Sequence, residues 1–247
     1  MRKNVAIILA GGQGERCKSN IPKQFLKLSG KTVIEHTIDV FEKHELIDEI
    51  YVVINPLYSS FMVETLRRSA YTKVKKLLKG GGTRQESSRV GVFACNEDVD
   101  KVLIHEATRP FVSHKIISEV VKKLDTYPAV NVAIPTTDAI IKVSMEKKII
   151  MDVPDKKSLM RGQTPQGFKL KVIKKAHELA DKEGLVESAE DCSLVLRYNI
   201  GEIYVINGDP SNIKLTYLED VYLAERLFQL RRLNIDNLDV KRKNSTS

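Results

Sequence analysis

The sequence predicts an α/β fold: a single mostly parallel sheet with helices on both faces, plus a protruding β-hairpin arm. Three observations predict it. Short apolar runs, beginning with Val5-Ala-Ile-Ile-Leu9, alternate with segments whose apolar residues recur at helical spacing. The first run ends directly in a glycine-rich turn, at the carboxyl end of a strand, where such sheets bind their ligands. Residues 137–160 break the alternation with two apolar runs around a polar turn.

Taken in order, strands are expected at 4–9, 50–54, 74–78, 101–105 and 130–134. Helices are expected near 32–43, 59–69, 84–96 and 114–125. In the first helix, Val33, Ile34, His36, Thr37, Val40 and Phe41 mark one face. Strand–helix alternation implies parallel strands joined by right-handed crossovers. Asp138-Ala-Ile-Ile-Lys-Val143 and Ile149-Ile-Met-Asp-Val153 flank a polar turn and read as the hairpin. Its apolar runs suit an arm packed on a dimer partner or an edge hairpin folded on its own domain. A helix follows at about 169–182, then a strand at 202–206 that runs into the turn Asn207-Gly-Asp-Pro210. The last helix, about 217–231, is expected to start after Thr216 as its cap, with Glu219 and Asp220 in its first turn. One domain is expected over 1–236, without internal repeat or linker, and 237–247 is expected to be a disordered tail.

Composition narrows the function classes. The chain has 247 residues, 42% hydrophobic and 29% charged, which is ordinary for a soluble globular protein. The net charge of +8 suits an anionic substrate. No basic, aromatic-rich strand offers a base-stacking platform, so no nucleic-acid partner is expected. Cys17, Cys95 and Cys192 are scattered and form no C-x-x-C pair, which indicates neither a zinc site nor a disulfide framework and fits a reducing, cytoplasmic compartment. The first apolar run is too short, and too soon broken by glycines, for a signal peptide. No stretch approaches the roughly 18 apolar residues of a membrane span.

The chemistry concentrates in Leu9-Ala-Gly-Gly-Gln-Gly-Glu-Arg16, followed by Pro22-Lys-Gln-Phe25. Glycines let the backbone turn its N–H groups toward an anion, and Arg16 and Lys23 can neutralise charge that develops in phosphoryl or nucleotidyl transfer. Of two competing motifs, one fails and the other fits weakly. A P-loop ending in Gly30-Lys31-Thr32 needs a glycine where Phe25 stands. A dinucleotide fingerprint through Gly12 and Gly14 needs its third glycine where Cys17 stands. His36 and His177 fall on expected helices and read as packed or surface groups.

Further motifs follow in order: Gly80-Gly-Gly-Thr-Arg-Gln-Glu-Ser87, His105-Glu-Ala-Thr-Arg-Pro-Phe111, Pro135-Thr-Thr-Asp138, Gly162-Gln-Thr-Pro-Gln-Gly-Phe168, Glu190-Asp-Cys-Ser193 and Gly208-Asp-Pro-Ser-Asn-Ile-Lys-Leu-Thr216. Together with the opening motif they resemble the IspD/TarI family of CTP-dependent cytidylyltransferases over about 230 residues. That family includes 2-C-methyl-D-erythritol 4-phosphate and ribitol-5-phosphate cytidylyltransferases.

The resemblance implies a Rossmann-like fold and a role for each matched residue. Arg16, Lys23 and Lys214 would grip the CTP phosphates and stabilise charge at the α-phosphate. Ala10, Gly11, Gly12 and Gly14 would line the nucleotide site, and Gly81, Gly82 and Ser87 would hold the cytosine or ribose. Mg²⁺ would bridge the triphosphate, with Glu106 and Asp209 as candidate ligands. Arg109, Thr137 and Lys156 would bind the acceptor, and a homodimer would form through the 137–160 arm. An acceptor phosphate oxygen would attack the α-phosphorus of CTP and expel pyrophosphate, with no covalent enzyme intermediate.

This chain departs from the family at the acceptor side. Glu106 and Thr108 stand where an Asp and an Ala or Val are usual, and Ala139 and Lys156 stand where the methylerythritol enzymes carry a Thr and an Arg. Lysine keeps the charge but loses the planar fork that grips phosphate. Gly162 leans toward the ribitol-type enzymes, and Glu190-Asp-Cys-Ser193 toward the methylerythritol type. The expectation is a cytidylyltransferase making a CDP-polyol or CDP-sugar for surface-glycan synthesis. The alternatives are the methylerythritol enzyme of isoprenoid synthesis and a catalytically inactive CTP-binding regulatory protein.

Overall fold

The computed structural model describes residues 2–12 and 21–244. Gly14, Arg16 and Cys17 lie outside the described residues.

In chain order, β1 (Lys3–Ala10) is followed by a small hairpin, β2 (Lys27–Leu28) and β3 (Lys31–Thr32), and by α1 (Val33–Glu42). Next come β4 (Glu49–Ile54), α2 (Ser59–Ser69), β5 (Val74–Lys79), α3 (Arg84–Phe93), β6 (Val99–Glu106), α4 (His114–Lys123) and β7 (Ala129–Pro135). The second half holds β8 (Lys142–Val143), β9 (Ile150–Asp152), β10 (Met160–Lys169), α5 (Leu170–Glu183), α6 (Asp191–Arg197), β11 (Ile203–Asn207) and α7 (Glu219–Asn244).

Seven strands form one sheet in the order β11-β7-β10-β6-β1-β4-β5. β1 pairs in parallel with β4 on one side and β6 on the other, so the strand order reverses at β1. Ligands bind outside the carboxyl ends of the strands at such a reversal. Side chains of β1 alternate across the sheet. Ala6, Ile8 and Ala10 join the core under α1, α2 and α4, through Phe41, Met62 and Ile117 among others. Val5, Ile7 and Leu9 join the core under α3, α5 and α6, through Val92, Ile173 and Leu194. Both faces of the central strands are therefore covered, which explains their continuous apolar runs. Gly91 lets α3 approach β1 closely, since a Cβ there would lie 2.4 Å from Cγ2 of Ile7.

The α/β class, the mostly parallel sheet and the five early strands are as expected. Four features differ. β10 is a ten-residue strand antiparallel to both β6 and β7, where the sequence suggested only a motif. It carries polar residues, two glycines and Pro165 rather than an apolar run, and its pairing with β7 shifts register between Gln163 and Gly167. The arm is present as β8 paired with β9, but its strands span two and three residues only. α6 is only seven residues long and gave no clear period. α7 starts at Glu219 and runs past Asp236 to Asn244, through a stretch with no glycine or proline to end it. Thr216 is not its cap: the Asp220 carboxylate instead accepts from the backbone N–H groups of Thr216 and Tyr217, at 2.6 and 2.8 Å.

Candidate active site

A cavity of about 760 Å³ opens at the carboxyl ends of β1, β4, β5 and β6. Ala10, Gly11 and Gly12 form one wall and Gly80 to Arg84 with Ser87 another; Lys23, Gln24, Glu106, Thr108 and Lys214 face the same space.

Each wall has a local cause. Gln24 is buried, and its Nε2 donates to the carbonyls of Ala10 at 2.8 Å and Gly12 at 2.9 Å. That clamp ties the short 3₁₀ turn Lys23–Phe25 to the end of β1 and sets Lys23, also buried, against the cavity. Thr83 caps α3 and Glu86 caps back, with Oε2 of Glu86 accepting from the N–H of Gly82 at 2.6 Å and of Thr83 at 3.1 Å. The positive end of α3 therefore borders the cavity. Ser87, on α3, sits where two loops meet: a Cβ on Gly80 would lie 2.8 Å from its Oγ, and one on Gly11 3.2 Å.

The opposite side is an ion network. Glu106 ends β6, and its Oε1 lies 2.5 Å from Nζ of Lys214 while its Oε2 accepts from Nε of Arg109 at 2.8 Å. Burial opposes ionisation of Glu106, but the two cations overcome it and hold its carboxyl down at about 2. Lys214 arrives from the far end of the chain because its loop is bolted to β10. Gln163 exchanges hydrogen bonds with the backbone of Asp209, and Nδ2 of Asn212 donates to the carbonyl of Thr164 at 2.9 Å. Thr164 Oγ1 also accepts from the N–H of Glu106 at 3.2 Å and contacts Nδ1 of His105 at 3.0 Å. Burial lowers the His105 imidazole to about 4, so it is a neutral brace under the site.

Of the expected site residues, the structure brings Ala10, Gly11, Gly12, Lys23, Gly81, Gly82, Ser87, Glu106 and Lys214 around one cavity. Others lie elsewhere. Asp209 borders a separate depression of about 320 Å³ with Ser113 and Lys115, and its Oδ1 accepts from the N–H of Ser211 at 2.7 Å. It does not share the cavity with Glu106, because the backbone bonds to Gln163 turn its loop that way. Arg109 does not line the cavity either; its guanidinium is engaged by Glu106 and by the carbonyl of Asn212 at 2.9 Å. Thr137 and Lys156 meet in the arm, where Nζ of Lys156 donates to the Thr137 carbonyl at 2.6 Å, and neither borders the cavity. Among the described residues, no group of three or more His, Cys, Asp or Glu is arranged to hold a metal by itself. Sequence reasoning missed Gln24 and the β10 residues Gln163 and Thr164. All three lie inside quoted motifs, yet they act by holding backbone, which spacing does not reveal.

Residues 4–230 match the IspD family, described as 2-C-methyl-D-erythritol 4-phosphate cytidylyltransferase. The chain is 39% identical over 232 residues to the bifunctional ribulose 5-phosphate reductase/CDP-ribitol pyrophosphorylase Bcs1 of Haemophilus influenzae. That match covers 93% of this chain but 49% of the relative, so the chain spans about half the length of that protein. It is 37% identical over 230 residues to a 2-C-methyl-D-erythritol 4-phosphate cytidylyltransferase of Thermobifida fusca, covering 91% of this chain and 92% of that one. Among solved structures, 4-diphosphocytidyl-2C-methyl-D-erythritol synthase from Anaerococcus prevotii superposes with a TM-score of 0.80 at 26% identity, over 92% of this chain and 96% of that one.

Proposed function

The chain belongs to the IspD family of CTP-dependent cytidylyltransferases, and from that premise we propose that it transfers CMP from CTP to a polyol or sugar phosphate of the ribitol-5-phosphate type. An oxygen of the acceptor phosphate forms a bond to the α-phosphorus, the bond to the bridging oxygen breaks, and pyrophosphate leaves with that electron pair. The observation that carries the reading is the cavity itself, with Lys23 and Lys214 lining the space beside the α3 N-terminus. Fixed positive groups aimed at a transferring phosphoryl centre lower the barrier with no reorganisation at the moment of reaction.

Support for the ribitol-type acceptor comes from the residues that depart from the methylerythritol pattern. Glu106 projects one methylene further than an aspartate. Ala139 offers no hydroxyl, and Lys156 offers a point charge in place of a fork. The CDP-ribitol relative at 39% identity points the same way, and surface-glycan synthesis is the process that such a product would serve.

Mg²⁺ is part of the proposal. Glu106 fits as its single protein carboxylate, since each oxygen already accepts from one cation and keeps a further lone pair. Triphosphate oxygens and waters would complete its shell, as is usual for this ion, and the bound ion would supply further charge neutralisation. A homodimer is also part of the proposal: the arm exposes Ile140, Ile141, Ile149, Ile150, Met151 and Val153, a patch that a second copy would cover. A monomeric mass at micromolar concentration would count against it. No described helix is long and apolar enough to cross a membrane; the proposed compartment is the cytoplasm, where CTP is made.

Pyrophosphate release from CTP and Mg²⁺ with a panel of polyol and sugar phosphates tests the function. Preferred turnover of ribitol 5-phosphate is expected. Preference for 2-C-methyl-D-erythritol 4-phosphate would move the chain to isoprenoid synthesis, and tight CTP binding without release for any acceptor would make it a regulatory protein.

A further inference from the structure

Asp191 is the first residue of α6 and is fully buried. Its Oδ2 lies 2.8 Å from Nη2 of Arg84, and its Oδ1 accepts a hydrogen bond from Oγ of Ser88. Arg84 and Ser88 stand one turn apart on α3, the helix whose first turn borders the cavity, and Arg84 itself lines that cavity. One carboxylate, about a hundred residues away in sequence, therefore holds two points of the nucleotide-side wall.

The carboxylate is in turn fixed from behind. Oε1 of Gln166 accepts from the N–H of Cys192 at 3.2 Å, and Nε2 of Gln166 donates to Oε2 of Glu190 at 2.7 Å. The first turn of α6 is thus tied to β10, the same strand whose Gln163 and Thr164 hold the Lys214 loop. His177, fully buried and 3.9 Å from Asp191, is held neutral by burial and brings no compensating charge. Among the described residues, Arg84 is then the one permanently charged partner of Asp191. A buried ion pair of this kind contributes little net stability, and apolar packing would serve the core as well. Its value lies in fixing geometry.

We propose that Asp191 is a positioning residue for nucleotide binding, acting through Arg84 and Ser88 to hold the wall formed by Gly81, Gly82 and Ser87. This rests on the reading that CTP occupies the cavity. With Asp191 in place, the Arg84 guanidinium is charge-compensated and oriented before the nucleotide arrives, so its free N–H groups act as directional donors toward the nucleotide. Without Asp191, the α3 wall loses its buried tie at Arg84 and Ser88, keeping those of Thr83 and Gln85 to the backbone of Val186 and Leu185, while the Glu106–Lys214 side is untouched.

The test is a two-substrate kinetic comparison of wild type, Asp191→Asn, Arg84→Met and the double variant, with calorimetric CTP binding alongside. Asp191→Asn is expected to raise KM and Kd for CTP about tenfold, the scale of coupling between directly contacting residues. KM for the acceptor and kcat should stay within about twofold, a split that general loosening of the fold would not produce. The double variant should bind CTP no more weakly than Arg84→Met alone. If Asp191→Asn does not fold, Ser88→Ala carries the test, with about a threefold rise in KM for CTP and none for the acceptor. An unchanged KM for CTP, equal effects on both substrates, or additivity with Arg84→Met would overturn the proposal. Folded wild-type protein that fails to bind CTP would instead overturn the reading beneath it.

Discussion

Nζ of Lys214 lies 2.5 Å from Oε1 of Glu106, across 108 residues of chain, while Arg109 holds the other carboxylate oxygen at 2.8 Å. The contact leaves the ammonium lining, at a fixed point, the same cavity that Lys23 faces. Lys214→Ala and Lys23→Ala are each expected to lower turnover by roughly 10²–10³, the scale for losing one preorganised charge stabiliser. Pyrophosphate release by the purified variants measures it, and near-normal turnover in either would remove that lysine from the catalytic role.

The same network sets a pH signature in two windows. Unfolded histidine titrates near 6.5, whereas burial keeps His105 neutral down to about 4. Between those values the unfolded chain binds the extra proton, so stability falls as pH drops through that range. Glu106 is opposed by burial but held down to about 2 by Lys214 and Arg109, against 4.5 when unfolded. Its contribution is complete above about 4.5 and is lost as pH falls toward 2. Glu106→Gln should therefore flatten the carboxylate's share of the loss below pH 4.5 and leave the onset of the upper window near 6.5 unchanged, since that onset is set by the unfolded histidine. Denaturant titrations from pH 7 to 2.5 read both; a variant whose curve below pH 4.5 parallels wild type would sink the assignment.

Much of this was legible in the sequence where side-chain type and backbone pattern agree. Val5 to Leu9 alternates between two cores, yet its run is wholly apolar because both faces are covered, and that signal is plain. Lys23 and the opening glycine turn were legible because a phosphate site needs those residue types, whereas Lys214 and the Gly80–Gly82 run were reached only through the family resemblance. β10 was not legible: its sheet position depends on long-range pairing with β6 and β7, and its Gly, Pro and Gln residues lack a strand signature. Asp209 and Arg109 were placed by motif order alone. Motif order is silent on direction, and hydrogen bonds to Gln163 and the Asn212 carbonyl decide where they point.

Gln24 shows what such backbone-holding residues are worth. Its carboxamide satisfies two carbonyls at the mouth of β1 while only 1% exposed. Gln24→Ala leaves both acceptors without this donor, at roughly 1–3 kcal/mol for a buried group left unsatisfied. The first loop should loosen, so thermal stability falls and KM for CTP rises. Gln24→Glu, nearly the same shape, should be worse at pH 7, since a carboxylate would face two carbonyl oxygens. Melting curves and CTP titration of the pair check this, and equal behaviour of Glu and Gln at pH 7 would refute the clamp.

The meeting of the Gly11 and Gly80 loops at Ser87 gives a test that separates packing from binding. Gly80→Ala would put a Cβ 2.8 Å from Oγ of Ser87, with the Ile54 carbonyl and Cγ1 of Val53 each at 3.4 Å. Overpacking of this kind costs about 1–3 kcal/mol. Removing the hydroxyl in Gly80→Ala/Ser87→Ala relieves the closest contact, so the melting temperature should recover most of the loss. Nucleotide binding should not recover with it if the proposed role of Ser87 holds, because the relieving substitution deletes the hydroxyl assigned to the nucleotide. Calorimetric CTP titration of the double variant decides the point. Recovery of both stability and affinity would mean that Ser87 serves the cavity only as packing, and the nucleotide contact would then have to come from the backbone of Gly81 and Gly82.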